Sequence, residues 1–351
     1  MTEAQIQRKK VLIFRLSSLG DVVLSTSALQ SDLLKSAEVH WVVRKDFEVL
    51  LQGNPQIDRL WCFERSNLKS WIRLCSLLWK QEFDEVFDLH SSLRTQIARV
   101  LFRVFAVFQK KPMPKWTRVK KAPFRLFLFF LLKKIFPKRL RPDSWIKRFA
   151  LTLGGDGSER PDLSYLCKKP DNFDVPLYGK KLLCLMPGSK WAGKQWSVQN
   201  YFRLVYKLSK NQNLSFIPVV LGSKEDAQSK ELVQLLEKTN VEHYSGVDKW
   251  DLSEVAYVLS QSLGYFGNDT GLGHLAEAVG ARSWVIFGPT SSECGFGPWR
   301  EQSRAIEKKI WCRPCGRYGK RCHRVFKPYE CLKGLTPEFV IGELQNDLKF
   351  E

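Results

Sequence analysis

Three loops of this 351-residue chain gather residues able to bind phosphate and sugar and to move a proton. The first, Arg15-Leu-Ser-Ser-Leu-Gly-Asp21, follows an apolar run. Gly20 permits a tight turn into a helix, which leaves Asp21 at or near the helix N-terminus, where the dipole favours an ionised carboxylate. Asp21 there either caps the helix, which Asp does well, or serves as a general base directed into a cleft. The second loop, Pro187-Gly-Ser-Lys-Trp-Ala-Gly-Lys-Gln-Trp196, offers Ser189 as a hydrogen-bond donor and Lys190 and Lys194 as cations suited to phosphate. Two tryptophans in so polar a loop argue against a plain solvated surface, because they usually pack on something. The third, Gly267-Asn-Asp-Thr-Gly-Leu-Gly-His274, would present the backbone amides of Thr270, Gly271 and Leu272 at a helix start, an anion site suited to pyrophosphate. Asp269 can accept from sugar hydroxyls, and His274 lies about one turn into the helix.

Two lesser signals join these. Glu225, in Gly222-Ser-Lys-Glu225, either holds a ribose or nucleobase or caps its helix. In Asp88-Leu-His90 with Arg94, Asp88 and Arg94 either contact an acceptor or pair with each other. The first loop is neither a dinucleotide fingerprint nor a P-loop, since it lacks both G-x-G-x-x-G and a following Gly-Lys-Ser/Thr.

Short apolar runs and amphipathic stretches alternate around these loops. Residues 11–16, 39–44, 59–63 and 85–88 read as strands, with helices over 22–35, 67–80 and 91–108. After a stretch rich in Gly, Pro, Asp and Lys the alternation resumes. Strands are expected at 181–186, 215–221, 241–244, 263–266 and 283–287, with helices at 198–209, 225–238, 252–261 and 271–279. This is the pattern of parallel sheets with helices on both faces. The expected organisation is an N-terminal domain over 1–167, a linker over 168–180 and a C-terminal domain over 181–351, with a cleft between the domains. A chain of this length with 44% apolar residues suits two domains of roughly 100–200 residues. Ligands of such sheets bind beyond the carboxyl ends of the strands, which is where all three loops fall.

The formal charge of +20 is concentrated. Residues 94–148 hold seventeen Lys or Arg and one acid, Asp143, and so carry +16 of it. Prolines punctuate this stretch and Phe and Leu crowd between the charges, so it reads as one or two short amphipathic helices inserted into the first domain. Its field attracts something anionic: nucleic acid, an acidic membrane surface or a phosphorylated substrate. The longest apolar run, residues 126–132, has seven residues, against ~20 for a membrane span. The polar residues 1–10 and the short run after them do not read as a signal peptide. A cytoplasmic protein that touches a membrane face is expected.

The motifs together resemble glycosyltransferase family 9, the ADP-heptose:lipopolysaccharide heptosyltransferases. The residues that carry the resemblance are Arg15–Asp21, Asp88-Leu-His-Ser-Ser-Leu-Arg94, Pro187-Gly-Ser-Lys190 with Lys194 and Trp196, Asn268–His274 and Phe287-Gly-Pro-Thr290. They run in family order over nearly the whole chain. The resemblance implies a GT-B fold, two Rossmann-like domains with acceptor on the first and ADP-heptose on the second. It implies inversion by direct displacement with no cofactor or metal required, and Asp21 as the general base. It places donor contacts at Ser189, Lys194, Asp269, Thr270, Gly271 and His274, with Glu225 a weaker match. Ser18, Gly20, Asp88 and Arg94 fall to the acceptor side. The implied acceptor, lipid A bearing acidic Kdo sugars at the inner leaflet of the inner membrane, suits the basic, apolar segment.

Cys312-x2-Cys315-x6-Cys322-x8-Cys331 is a separate feature. Four thiols in this span would hold zinc tetrahedrally, form two disulfides, or stay free; disulfides are disfavoured in the cytoplasm. Similar cysteine runs in some members of the family imply a structural loop near the domain interface. A nucleic-acid-binding protein would need aromatic platforms or a binding motif beside the basic segment, and none is recognisable, so no nucleic acid is expected. A catalytically silent lipid-binding scaffold and a nucleotide-sugar epimerase are the other readings.

Overall fold

The computed structural model describes residues 8–64, 67–132, 135, 141–171, 173, 175, 179, 181–210, 216–316, 318–320, 322–345 and 347. The chain divides into two compact units, one of Met1–Lys121 with Trp145–Tyr165 and one of Ala122–Ser144 with Leu166–Glu351.

In the first unit the elements are β1 (Lys9–Phe14), α1 (Leu19–Ser25), α2 (Asp32–Lys35), β2 (Ala37–Arg44), β3 (Arg59–Phe63), α3 (Leu68–Trp79), β4 (Glu85–Asp88), α4 (Leu93–Gln109) and β5 (Lys115–Arg118). All strand pairs are parallel, in the order β3-β2-β1-β4-β5. Val11, Leu12, Ile13 and Phe14 of β1 are wholly buried, as a central strand covered on both faces requires. Phe14, Trp71, Phe102 and Trp116 interlock as the aromatic centre of this core.

The expected helix over 22–35 is broken. Residues Thr26–Gln30 form a 3-10 turn between α1 and α2. The hydroxyls of Ser25, Thr26 and Ser27 each donate to the carbonyl three residues earlier, at 2.7, 2.7 and 2.9 Å, a local competition that loosens the α-helical ladder.

The basic stretch at 94–148 is not the single insertion expected from its composition. Its start is α4. Its middle supplies β5, an edge strand whose Lys115 pairs with Glu85 and whose Arg118 pairs with Asp88. Next, α5 (Pro123–Leu132) belongs to the second unit, where Phe129 packs with Cys294 and Arg141 pairs with Glu293. Then α6 (Trp145–Thr152) returns to the first unit and packs on the Thr26–Gln30 turn, with Ser27 Oγ donating to the Ile146 carbonyl. The domain limits shift accordingly from 1–167 and 181–351; the linker expected at 168–180 lies partly outside the described residues.

The second unit continues with β6 (Leu182–Met186), α7 (Val198–Ser209), β7 (Ile217–Val220), α8 (Ala227–Lys238), β8 (Tyr244–Ser245), α9 (Leu252–Ser260), β9 (Gly264–Asn268), α10 (Gly271–Ala278), β10 (Ser283–Phe287), β11 (Arg304–Glu307), α11 (Glu330–Lys333) and α12 (Pro337–Gln345). Its sheet is parallel, in the order β11-β10-β9-β6-β7-β8. Both sheets are mixed with helices in the doubly wound, Rossmann-like manner, and each has one point where the strand order reverses: between β1 and β4 in the first, between β6 and β9 in the second. Loops leaving adjacent strands in opposite directions open a crevice there, the standard place for a ligand.

Candidate functional site

In the first unit the reversal point joins the loop after β1 to the loop after β4. Ser18 caps α1, and Asp21 sits in its first turn. Asp21 is therefore not the cap; its Oδ2 reaches back to accept from Ser18 Oγ at 2.9 Å and Ser18 N at 3.3 Å, and pairs with Arg15 Nη2 at 2.8 Å. Arg15 is 5% exposed and is itself held by the Leu89 carbonyl at 2.6 Å and the Phe149 ring. A rigid guanidinium and a helix start thus fix one carboxylate at the head of β1. Gly20 is buried inside α1. His90 lies close enough for Arg15 and Asp21 to act on its charge; burial, then Arg15, drives its pKa down to about 4, so it is neutral near pH 7.

Asp88 is wholly buried, its Oδ1 accepting from the amides of His90 at 3.1 Å and Ser91 at 2.6 Å, and burial pushes its pKa up. Its ionic partner is Arg118, at 3.4 Å, rather than Arg94. Arg94 is exposed and stands over the Phe63 ring at 5.0 Å. Asp88 shapes the loop after β4 from beneath, and the pairing with Arg94 does not form.

In the second unit the reversal point joins the loop after β6 to the loop after β9. Asn268 ties them: its Nδ2 donates to the Pro187 carbonyl at 2.5 Å and its Oδ1 accepts from Trp196 N at 3.0 Å. The Trp196 indole is buried and donates to the Leu335 carbonyl at 2.7 Å, which anchors the far end of the loop. Lys194 Nζ and Asp269 Oδ2 meet at 2.5 Å with both side chains 12% exposed, and Thr290 Oγ1 donates to the same oxygen at 2.9 Å. Thr270 caps α10, its hydroxyl bonded to Tyr265 at 3.0 Å, so the first amides of α10 open beside the Lys194 ammonium. Ser189 lies in the same loop, its Oγ 3.4 Å from Trp191 N. His274 is 7% exposed on α10, its ring 6.4 Å from that of Phe296.

Glu225 stands apart. It is exposed, and its pKa is lowered by hydrogen bonds from its own backbone and Ser223. The neighbour Asp226 is the residue that caps α8, accepting from Ser229 N at 3.2 Å and Ser229 Oγ at 2.8 Å. Asp226 also lies against Gly188: a Cβ there would fall 1.7 Å from its Oδ2. Asp226, Asn268 and Thr290 were not singled out as site residues in the sequence. Only the Asp-x-x-Ser spacing of an N-cap signalled Asp226.

The cysteine-rich loop belongs to this construction. Arg313, 8% exposed, donates to the carbonyls of Gly288 and Thr290 and pairs with Glu307, and Cys315 N donates to the Pro289 carbonyl at 2.7 Å. Tyr318 and Lys320 lie against the Trp191 ring, and the Gly319 carbonyl would sit 2.1 Å from a Cβ at Gly193. The loop therefore braces both the Pro289 turn and the Lys194 loop. None of the nine cysteines forms a disulfide, Cys322 Sγ accepts from Tyr329 N at 3.2 Å, and burial pushes the Cys331 thiol up to about 11. Among the described residues no group of three or more His, Cys, Asp or Glu is placed to hold a metal ion, so the zinc alternative weighed for Cys312, Cys315, Cys322 and Cys331 finds no support in their arrangement.

On the far side of α10, Glu277 is wholly buried, its Oε1 accepting from the amides of Trp299 and Arg300 at 2.8 and 2.9 Å; burial raises its pKa to about 7. In the unfolded chain it ionises near 4.5, so its contribution to stability is full below that pH and is lost as pH rises to about 7. The loss is on the order of 3 kcal/mol. Glu277→Gln keeps the acceptor and abolishes the titration. The melting temperature of the variant relative to wild type should therefore rise by several degrees between pH 5 and pH 8, on the scale of roughly 2–4 °C per kcal/mol. A difference that stays constant with pH would exclude this role. His90 has the opposite slope, but it is common to both proteins and cancels in the difference.

The chain is 27% identical over 182 residues to lipooligosaccharide heptosyltransferase 2 of Campylobacter jejuni, covering 50% of this chain and 55% of that protein. It thus spans about half the length of that relative. It is 27% identical over 309 residues to lipopolysaccharide heptosyltransferase 1 of Campylobacter coli, covering 81% and 85%. The structure of the E. coli ADP-heptose lps heptosyltransferase II superposes with a TM-score of 0.70 at 17% identity over 97% of this chain and 98% of that one, which establishes a common GT-B fold. The model of glycosyltransferase family 9 (heptosyltransferase) matches residues 71–325, well over half of the sequence, and the chain belongs to that family.

Proposed function

We propose that the protein transfers heptose from ADP-heptose to a lipid A–Kdo or heptosyl–lipid A acceptor, with inversion at the anomeric carbon, in lipopolysaccharide core synthesis at the inner face of the inner membrane. Family membership supports the reaction class, and the relatives' names supply the donor and the pathway. The observation that carries the reading is the cluster at the β6–β9 reversal point: Lys194, Asp269 and Thr290 joined through one carboxylate oxygen at the amide end of α10. A cation beside helix amides suits a diphosphate, and a carboxylate beside it suits sugar hydroxyls.

In the proposed displacement the acceptor hydroxyl gives its proton to Asp21 as its oxygen bonds to the anomeric carbon. The bond from that carbon to the β-phosphate oxygen breaks, and the electron pair leaves with ADP. Lys194 and the first amides of α10 stabilise the charge gathering on the departing diphosphate. On this reading those groups suffice, and turnover is expected to survive chelation of divalent metal. Ser189 joins the phosphate contacts, and Thr270, Gly271 and His274 line the donor side. Glu225 is left to the nucleoside, reached from the solvent.

The test is incubation with ADP-heptose and detergent-solubilised Kdo–lipid A, with and without a first heptose, read by mass spectrometry. A lipid heavier by one heptose is expected from one of the two acceptors, with or without EDTA. Binding of ADP-heptose without product from either acceptor would overturn the acceptor; no binding of ADP-heptose would overturn the donor.

A further inference from the structure

The solvent side of α5 is apolar. Phe124, Phe127 and Leu131 are 71, 60 and 65% exposed, and their spacing places them on one stripe of the helix. The opposite side carries Phe129, 1% exposed, which packs with Cys294 and is flanked by Leu126 and Phe130. The helix is thus seated by one apolar face and offers a second to the outside, with Ile135 just beyond its end 84% exposed as well. Among the described residues these three large side chains stand outside the hydrophobic clusters of the second unit. Exposed apolar stripes of this kind mark an interaction surface.

The surrounding charge selects the partner. Residues 120–141 contain eight Lys or Arg and no Asp or Glu. Arg125 and Arg141 are engaged with Asp143 and Glu293, while Lys120, three residues before α5, is exposed. An aromatic and aliphatic stripe in a segment whose own charges over 120–141 are all positive is complementary to an anionic lipid surface: the rings enter the acyl boundary while the cations meet phosphate. It is poorly suited to a folded protein partner, whose rim would have to supply matching acids.

We propose that the exposed face of α5, formed by Phe124, Phe127 and Leu131, docks the protein on an anionic bilayer. This deepens the reading above by naming the surface that brings the enzyme to a lipid acceptor, and it rests on that reading only for its purpose. No helix among the described residues is long and apolar enough to cross a membrane, so the contact is lateral.

The experiment is co-sedimentation of the full chain with vesicles of phosphatidylcholine alone and of phosphatidylcholine with phosphatidylglycerol, at low and high salt. Wild type should bind the mixed vesicles at least tenfold more strongly than the neutral ones, and salt should weaken that binding. The triple variant Phe124→Ser, Phe127→Ser, Leu131→Ser should lose about tenfold or more while melting like wild type, because the replaced side chains support no core. As a second measurement, Phe127→Trp should gain fluorescence that brominated acyl chains quench. Equal binding by wild type and triple variant, or a Phe127→Trp signal untouched by brominated lipid, would overturn the proposal. So would failure of wild type to bind the mixed vesicles, or a wild-type dimer that the triple variant abolishes while vesicle binding is absent. None of these readouts needs turnover, so failure of the heptosyl-transfer reading shows separately in the product assay.

Discussion

Replacement of Asp21 by Asn should lower heptosyl transfer by about a thousandfold, within the 10²–10⁴ that a positioned general base contributes. Asn preserves the shape at the start of α1 and can still accept from Ser18 and Arg15, the groups that hold the carboxylate. It cannot take a proton from the acceptor. Asp21→Ala should lose at least as much turnover and, lacking the bonds to Ser18, also about 1 kcal/mol of stability. Affinity for ADP-heptose, measured by calorimetric titration, should be unchanged in both, because Lys194, Asp269 and the α10 amides are built wholly within the second unit. Turnover by Asp21→Asn within tenfold of wild type would remove Asp21 from the role of base. It would leave it as the residue that closes the first turn of α1.

What the sequence conveyed and what it withheld divide along a physical line. The strands at 59–63, 85–88 and 283–287 and the helix at 198–209 were legible to the residue, because each has a clean apolar period bounded by turn or cap residues. Loops at the carboxyl ends of strands were legible too, since their Gly, Asp and Lys residues have no place in an element. Pairings across the fold were not. Asp88 meets Arg118 from the edge strand β5, fixed by the register of β4 against β5, and no local spacing announces that. β5 was itself hidden: four residues with two charges read as loop until Lys115 and Arg118 find Glu85 and Asp88, and Trp116 stacks on Phe14. The same blindness made one insertion out of residues 94–148, whose composition is uniform but whose parts pack in different units. At Glu225 and Asp226 the sequence offered two adjacent carboxylates. Only the fold shows that the second turns inward to Gly188 and Ser229 while the first faces solvent.

Lys194 should be the most damaging position in the second unit, and its damage should separate into two parts. Lys194→Ala removes the cation proposed to meet the departing diphosphate, for which a loss of about 10²–10³ in turnover is expected. It also leaves Asp269, 12% exposed, with Thr290 but without its ion partner, at a cost of roughly 1–3 kcal/mol in stability once partial exposure is allowed for. Adding Asp269→Asn removes the stranded charge, so the double variant should recover most of the stability in thermal melts. Turnover should not return with it, because Asn supplies no positive charge to the leaving group. Product formation that rises in step with the melting temperature would show that Lys194 acts only by holding Asp269 and the loop after β6. Recovery of stability with turnover still depressed would assign the ammonium to the phosphate. The arrangement of the site favours the second outcome. Asn268 already ties the loop after β6 to the loop after β9, and Trp196 together with Tyr318, Gly319 and Lys320 secures its flanks. The loop therefore has its own supports, and a half-buried lysine beside Asp269, just ahead of α10, is available for an anion.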